Sequence, residues 1–314
     1  MSDPFTIATK HWHRLHDSRI QCDVCPRACK LHEGQRGLCF VRGRFDDQVK
    51  LTSYGRSSGF CVDPIEKKPL NHFLPGSATL SFGTAGCNLA CKFCQNWDIS
   101  KSREIDVLAS RAAAGYMCPE PRAEFYRRVD AANVDLKAFT EDFYRKVCVS
   151  HLRNVLDTLA YLRHQTNVWL EITTLLIPGR NDSDAEVAAE CRWIRENLGV
   201  DVPVHFTAFH PDYKMMDTPA TPTATLTRAR EIGIGEGLRF VYTGNVHDAV
   251  GGSTSCPGCR ATVIVRDWYS IRHYALTEDG RCQACGYQMP GVYDGPAGHW
   301  GQRRLPLLTS LSRM

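Results

Sequence analysis

Three cysteines within eight residues, Cys87-Asn-Leu-Ala-Cys91-Lys-Phe-Cys94, constrain this chain more than any other feature. The C-x3-C-x2-C spacing lets one loop wrap three corners of a cubane [4Fe–4S] cluster. A fourth thiolate would close the cluster into a pure electron carrier. No fourth cysteine follows close behind, which leaves one iron open to a small molecule. Structural zinc takes four ligands, so a tight loop of three suits it poorly. Gly83, Gly86 and Asn88 flank the loop and supply turn residues, and Phe93 sets a ring just before the third cysteine.

At 314 residues the chain can hold a core of about 200 residues plus smaller appendages. A net charge of +4 with no lysine-rich run gives no sign of a nucleic-acid partner. Arg260, Arg266 and Arg272 come without the interleaved aromatics of single-strand readers. The sequence shows neither an apolar leader nor an 18-residue apolar stretch, so no membrane is expected and the cytoplasm is the expected compartment. There, 15 cysteines grouped largely in C-x2-C units point to metal rather than disulfides. Cys61, Cys118, Cys148 and Cys191 stand outside the groups and read as small buried residues, Cys61 least so because it precedes a polar motif.

Three parts follow from the pattern: a Cys-rich segment over 1–76, a core over 77–252 and a tail module over 253–314. The first opens on a polar, helix-like stretch and then carries Cys22, Cys25, Cys29 and Cys39. That set is open between zinc, an iron–sulfur cluster and free thiols. Residues 78–84 predict a buried strand running straight into the cysteine loop. Strand and helix then alternate: strand 133–137, helix 151–164, strand 167–177, a helix capped at Asp182 or Ser183 and stopped by Gly199, strand 203–209, helix 223–233, strand 238–242. This predicts an α/β fold of parallel strands joined by right-handed crossovers. In the tail, Cys256, Cys259, Cys282 and Cys285 form two knuckles around a strand at Thr262–Arg266, the pattern of a zinc ribbon, with iron as the alternative metal.

The cysteine loop closely resembles that of radical S-adenosylmethionine (SAM) enzymes. More narrowly, Cys22–Arg42, Asp63–Gly76, Ser81–Lys101, Ala131–Phe139, Leu176–Asp182 and Tyr242–Asn245 resemble the AmmeMemoRadiSam system radical SAM enzyme, a relative of the pyruvate formate-lyase activating enzymes. The resemblance covers nearly the whole chain. It implies a partial (β/α) barrel, a [4Fe–4S] cluster on Cys87, Cys91 and Cys94, and S-adenosyl-L-methionine on the open iron. One electron would break the cofactor's C5′–S bond, and the 5′-deoxyadenosyl radical would take hydrogen from a substrate. Phe93 would pack beside adenine, and Asp135 and Lys137 would point toward the cofactor from one strand face. His210 would lie near adenosine, with His205 as competitor, and Gly244 and Asn245 would border the cofactor. The resemblance also implies an electron donor such as flavodoxin or ferredoxin, and a shared pathway with MEMO-like and AMMECR-like proteins. Glu66, Lys67, Lys68 and His72 read either as the rim of a substrate mouth or as a solvated loop.

One departure stands out. After position 113 the family pattern calls for about 50 further residues, two strand–helix units. Only 20 residues separate Lys101 from Arg122. A shortened barrel of about four strands is therefore expected, with an impaired SAM pocket. The competing reading is an iron–sulfur and zinc protein that docks partners without cleaving SAM.

Overall fold

The computed structural model describes residues 3–57, 59–83, 85–100 and 116–307, and at 98 and 99 the backbone alone. The stretch after Lys101 in which the sequence runs short, 101–115, lies outside the described residues.

Four strands form the central sheet: Ala131–Asp135, Trp169–Leu176, Val204–Ala208 and Val241–Gly244. They are all parallel and lie side by side in chain order. Helices Leu152–Gln165, Asp184–Leu198 and Thr223–Gly235 connect them in turn. The second helix starts on Ser183, whose hydroxyl accepts from Glu186 N at 3.3 Å, and ends on Gly199 at φ 98°. An N-cap and a C-terminal glycine are local signals, which is why the sequence places this helix well.

Side chains alternate across the strands, so the sheet has two chemically different faces. Val134, Ile172, Leu176, Val204 and Phe206 meet the helices' Leu159, Leu162, Val187, Ile194 and Leu226 in the main core. Asn133, Asp135, Glu171, Thr173, His205, Thr207 and Tyr242 share the other face through the parallel register. That face is largely polar, in contrast to the apolar face packed on the helices.

Two expectations are corrected. The start of the chain is not helical; it forms short strands at Ile7–Ala8 and Trp12–Arg14, each paired antiparallel. Residues 78–82 do form a strand, yet it is not buried and not in the parallel sheet. Ala78–Phe82 pairs antiparallel with Phe60–Pro64, which in turn pairs with Leu305–Leu307. Leu80 and Phe82 are 56 % and 61 % exposed. Ala78, Leu80 and Phe82 alternate with polar residues, and among the described residues this apolar face is covered only in part, Phe60 lying 5.9 Å from Phe82 between ring centroids. The outer edge of this strand and that of Ala131–Asp135 are both unpaired among the described residues.

Glu190 sits in the helix–sheet core, where it accepts a hydrogen bond from Thr174 Oγ1 at 2.5 Å. Burial pushes its carboxyl up to about 8. Between the ordinary carboxyl value of 4.5 and that raised value, the unfolded chain loses this proton while the folded one keeps it. Folding stability therefore falls as pH rises through that window. Glu190→Gln should remove the loss, so its melting temperature should gain on the native protein steadily from about pH 5 to about pH 8. A gap independent of pH would refute this account.

Candidate metal and cofactor sites

The cysteine loop lies near Lys137, just beyond the carboxyl end of the Ala131–Asp135 strand. It is held there by backbone bonds. Ala90 N donates to Cys148 O at 3.0 Å, Lys92 N to Val147 O at 3.1 Å, and Lys214 N to Lys92 O at 3.1 Å. Tyr144–Cys148 is a single π-helical turn, and Val149 after it has φ 53°. A β-branched residue in the left-handed region costs of order 1–3 kcal/mol, and such strain clusters at functional sites.

The loop's three thiols have different surroundings. Cys91 is buried and hydrogen-bonds the Cys148 thiol, which that bond and burial hold well above the ordinary thiol range. Cys94 Sγ lies 3.1 Å from Ser100 Oγ. Cys87 Sγ accepts from Leu89 N at 3.4 Å and faces a cavity toward the N-terminal segment. Phe93 packs on Phe143 at 5.9 Å between ring centroids, with Lys137 Nζ 6.0 Å from its own centroid. Lys137 Nζ bonds Asp135 Oδ2 at 2.8 Å. Burial opposes the lysine's charge, but Asp135 and the neighbouring Cys91 raise its pKa above the ordinary value. The structure thus brings Cys91, Phe93, Asp135 and Lys137 together. Beside Asp135, in register on the same face, Thr173 Oγ1 is buried and has no hydrogen-bond partner among the described residues.

The other predicted contacts lie elsewhere. Gly244 and Asn245 line a second cavity of about 560 Å³ with Thr207, Glu66 and Lys67. Asn245 has φ 58° and donates to Ala208 O at 3.2 Å. His210 is exposed, with one ring contact, to Pro211 O at 3.4 Å. His205 is buried and bonded to Glu171 Oε2 at 2.6 Å.

That last pair belongs to a polar network the sequence did not reveal. Glu171 Oε1 accepts from His72 N at 2.7 Å and Trp169 Nε1 at 3.0 Å; Oε2 also accepts from Asn71 N at 3.0 Å. Burial alone would raise this carboxyl, but His205 and the other donors bring it below the ordinary range. His72 Nδ1 donates to Pro290 O at 2.7 Å, so in the neutral ring Nε2 accepts from Tyr242 OH at 2.6 Å. Burial depresses His72 to about 4, which keeps the ring neutral. Tyr242 OH meets Thr254 Oγ1 at 2.8 Å. Arg266 donates to Thr254 Oγ1 at 2.8 Å and to Asn71 O at 2.7 Å. His72 and Glu66 are buried, which corrects the solvated-loop alternative, and Glu66 and Lys67 line the second cavity. A lone carboxylate in an apolar strand, Glu171, was the one available signal.

Cys256, Cys259, Cys282 and Cys285 converge, with all four sulfurs within 4.8 Å of one another. Two pairs lie at 3.6 and 3.8 Å. Four thiolates about 2.3 Å from one tetrahedral ion sit about 3.8 Å apart. Each knuckle closes by a backbone bond, Arg260 N to Cys256 O and Gly286 N to Cys282 O, both 2.8 Å. Arg260 and Gly286 take φ 65° and 76° to make those turns. This four-cysteine group could hold a metal ion. No helix among the described residues is long and apolar enough to cross a membrane.

The fold and site define an α/β protein with a parallel sheet, a cysteine loop near one strand end and a four-thiol group in its tail. No family model matches the chain. Uncharacterized protein MJ0808 of Methanocaldococcus jannaschii (strain ATCC 43067 / DSM 2661 / JAL-1 / JCM 10045 / NBRC 100440) is 34 % identical over 324 residues, covering 88 % of this chain and 96 % of the relative. The chain belongs to the family of that protein. The matched stretch is longer than this chain's 314 residues, so the relative carries residues inside it that this chain lacks. A crystal structure of a domain of pyruvate-formate lyase-activating enzyme from Bacteroides vulgatus ATCC 8482 matches at TM-score 0.36 and 15 % identity, over 41 % of this chain and 75 % of that one. A likeness at that level decides nothing about the chemistry of this chain.

Glu171→Ala would strand several buried donors. It should cost about 3–5 kcal/mol in denaturant unfolding. Arg153→Ala, which breaks an exposed pair with Asp157, should cost less than about 1 kcal/mol. Equal costs would remove the network from its structural role. In the tail, Cys259→Ser should reduce bound metal by one ion per chain relative to the native protein. Unchanged metal content would show that the quartet is not a site.

Proposed function

We propose that this is a radical SAM enzyme of the AmmeMemoRadiSam type. It carries a [4Fe–4S] cluster on Cys87, Cys91 and Cys94 and zinc on the tail quartet. The observation that supports it most is the C-x3-C-x2-C loop lying with Phe93, Lys137 and Asp135 near a strand's carboxyl end, where α/β folds place cofactors.

The residues fit such a group. Thiolates on a cubane stand roughly 6 Å apart. Cys87, Cys91 and Cys94 do not crowd within 4.8 Å as ligands of a single ion do. Lys137 beside Cys91 offsets thiolate charge. Thr173 Oγ1 offers an unpartnered hydroxyl beside Asp135 on the polar face, suited to a ribose or amino-acid group. When bound, the cluster and SAM together supply a 5′-deoxyadenosyl radical for hydrogen abstraction from a glycyl site or a small molecule. Phe93 would flank adenine, and Asp135 and Lys137 would hold polar ends of SAM. Gly244 and Asn245 would border it from the far strand, and His210 would have to move inward to meet it. Flavodoxin or ferredoxin as electron donor, MEMO-like and AMMECR-like proteins as partners and a cytoplasmic setting complete the reading.

A second reading has its own support. The open edges of Ala78–Phe82 and Ala131–Asp135, and the residues present in the relative but missing here, suit a shortened member that docks partners and does not cleave SAM. The assay that separates them is 5′-deoxyadenosine formation by anaerobically reconstituted protein given dithionite and SAM. Product that disappears in Cys91→Ala is the expected result. A spectroscopically intact cluster that yields no product would overturn the enzyme reading in favour of docking.

A further inference from the structure

Cys22, Cys25, Cys29 and Cys39 line one cavity of about 440 Å³, with Cys87 in its wall. They are gathered, but not as the tail cysteines are. The tail sulfurs nearly touch, whereas no three of the N-terminal ones lie within 4.8 Å of each other. Four thiolates around one zinc ion leave no space among themselves, because their spacing is about 3.8 Å. Four thiolates around a cubane stand roughly 6 Å apart and enclose the cluster's own volume. A roomy thiol-lined cavity matches the second arrangement.

Two further features agree. Arg27 and Arg42 line the cavity among Leu31, Val24 and Val41, giving positive charge inside an apolar shell. The two cysteine segments also press together. Gly86 has φ +88°, and a Cβ there would come 2.4 Å from Cys39 O. Arg27 Nε donates to Asn88 O at 2.9 Å across the same junction.

We propose that Cys22, Cys25, Cys29 and Cys39 bind a second iron–sulfur cluster of the cubane type, seated against the Gly86–Cys87 backbone. The proposal uses residues separate from the SAM reading and stands or falls without it.

The test uses the full chain reconstituted anaerobically with iron and sulfide. The Cys87→Ala/Cys91→Ala/Cys94→Ala variant should keep about four iron and about four sulfide per chain, with visible charge-transfer absorption. Adding Cys25→Ala and Cys29→Ala should abolish both. Circular dichroism and melting of each variant show that it is folded. The native protein gives a second readout, because Cys25→Ala/Cys29→Ala alone should lower its iron by about four per chain. The proposal is overturned if the triple variant binds only zinc or no metal. It is equally overturned if the double variant keeps all the native iron.

Discussion

The carboxylate of Glu171 is the point on which the rest of the structure turns. It lies fully buried on the inner face of the sheet, accepting from two backbone amides, an indole and an imidazole. Those donors come from the Asn71–His72 loop, from Glu171's own strand through Trp169 and from the neighbouring Val204–Ala208 strand through His205. The loop is held to the sheet through Glu171, and the tail's Arg266 and Pro290 bond its Asn71 and His72. A buried charge is tolerable only when so fully paired, so this end is rigid by necessity. The opposite end, toward the carboxyl ends of the strands, keeps the groups suited to chemistry: an unpartnered threonine hydroxyl, a lysine–aspartate pair and the cysteine loop.

The division of labour between the two ends explains the contrast between the tail and the N-terminal segment. The tail knuckles hold their sulfurs at near-contact spacing, and the ribbon they anchor contributes Arg266 to the network. A metal there would serve folding, since its binding free energy adds to that of the ordered state. The N-terminal cysteines instead surround open space beside the Cys87 loop.

Much of the core was legible in the sequence because its signals are local. Ser183 and Gly199 bound one helix, and the apolar runs around Ile172 and Phe206 mark buried strands. The tail quartet was equally plain from its paired knuckles. What could not be read depends on distant partners. Glu171 meets His205 across 34 residues and His72 across 99. Cys148 looked like an ordinary buried cysteine until its thiol was found against Cys91. The alternating apolar residues of Ala78–Phe82 state that one face wants cover but not whether the chain provides it, and that is where the expectation of a buried strand failed. Asp135 and Lys137 were placed together by strand periodicity, whereas the position of His210 depends on a loop with no periodic signal.

The pairing of Phe60–Pro64 with Leu305–Leu307 bears on how the protein is made. His72 waits for a carbonyl 218 residues downstream, and Asn71 for a guanidinium 195 residues downstream. A ribosome must therefore release the chain through Pro290 before the Asn71–His72 loop can make all of its bonds. Contacts so far apart in sequence are slow to form. Through that interval Ala78–Phe82 and Phe60–Pro64 have only each other to pair with among the described strands, so both outer edges of the pair are bare and the nascent chain is more open to mispairing than the finished protein.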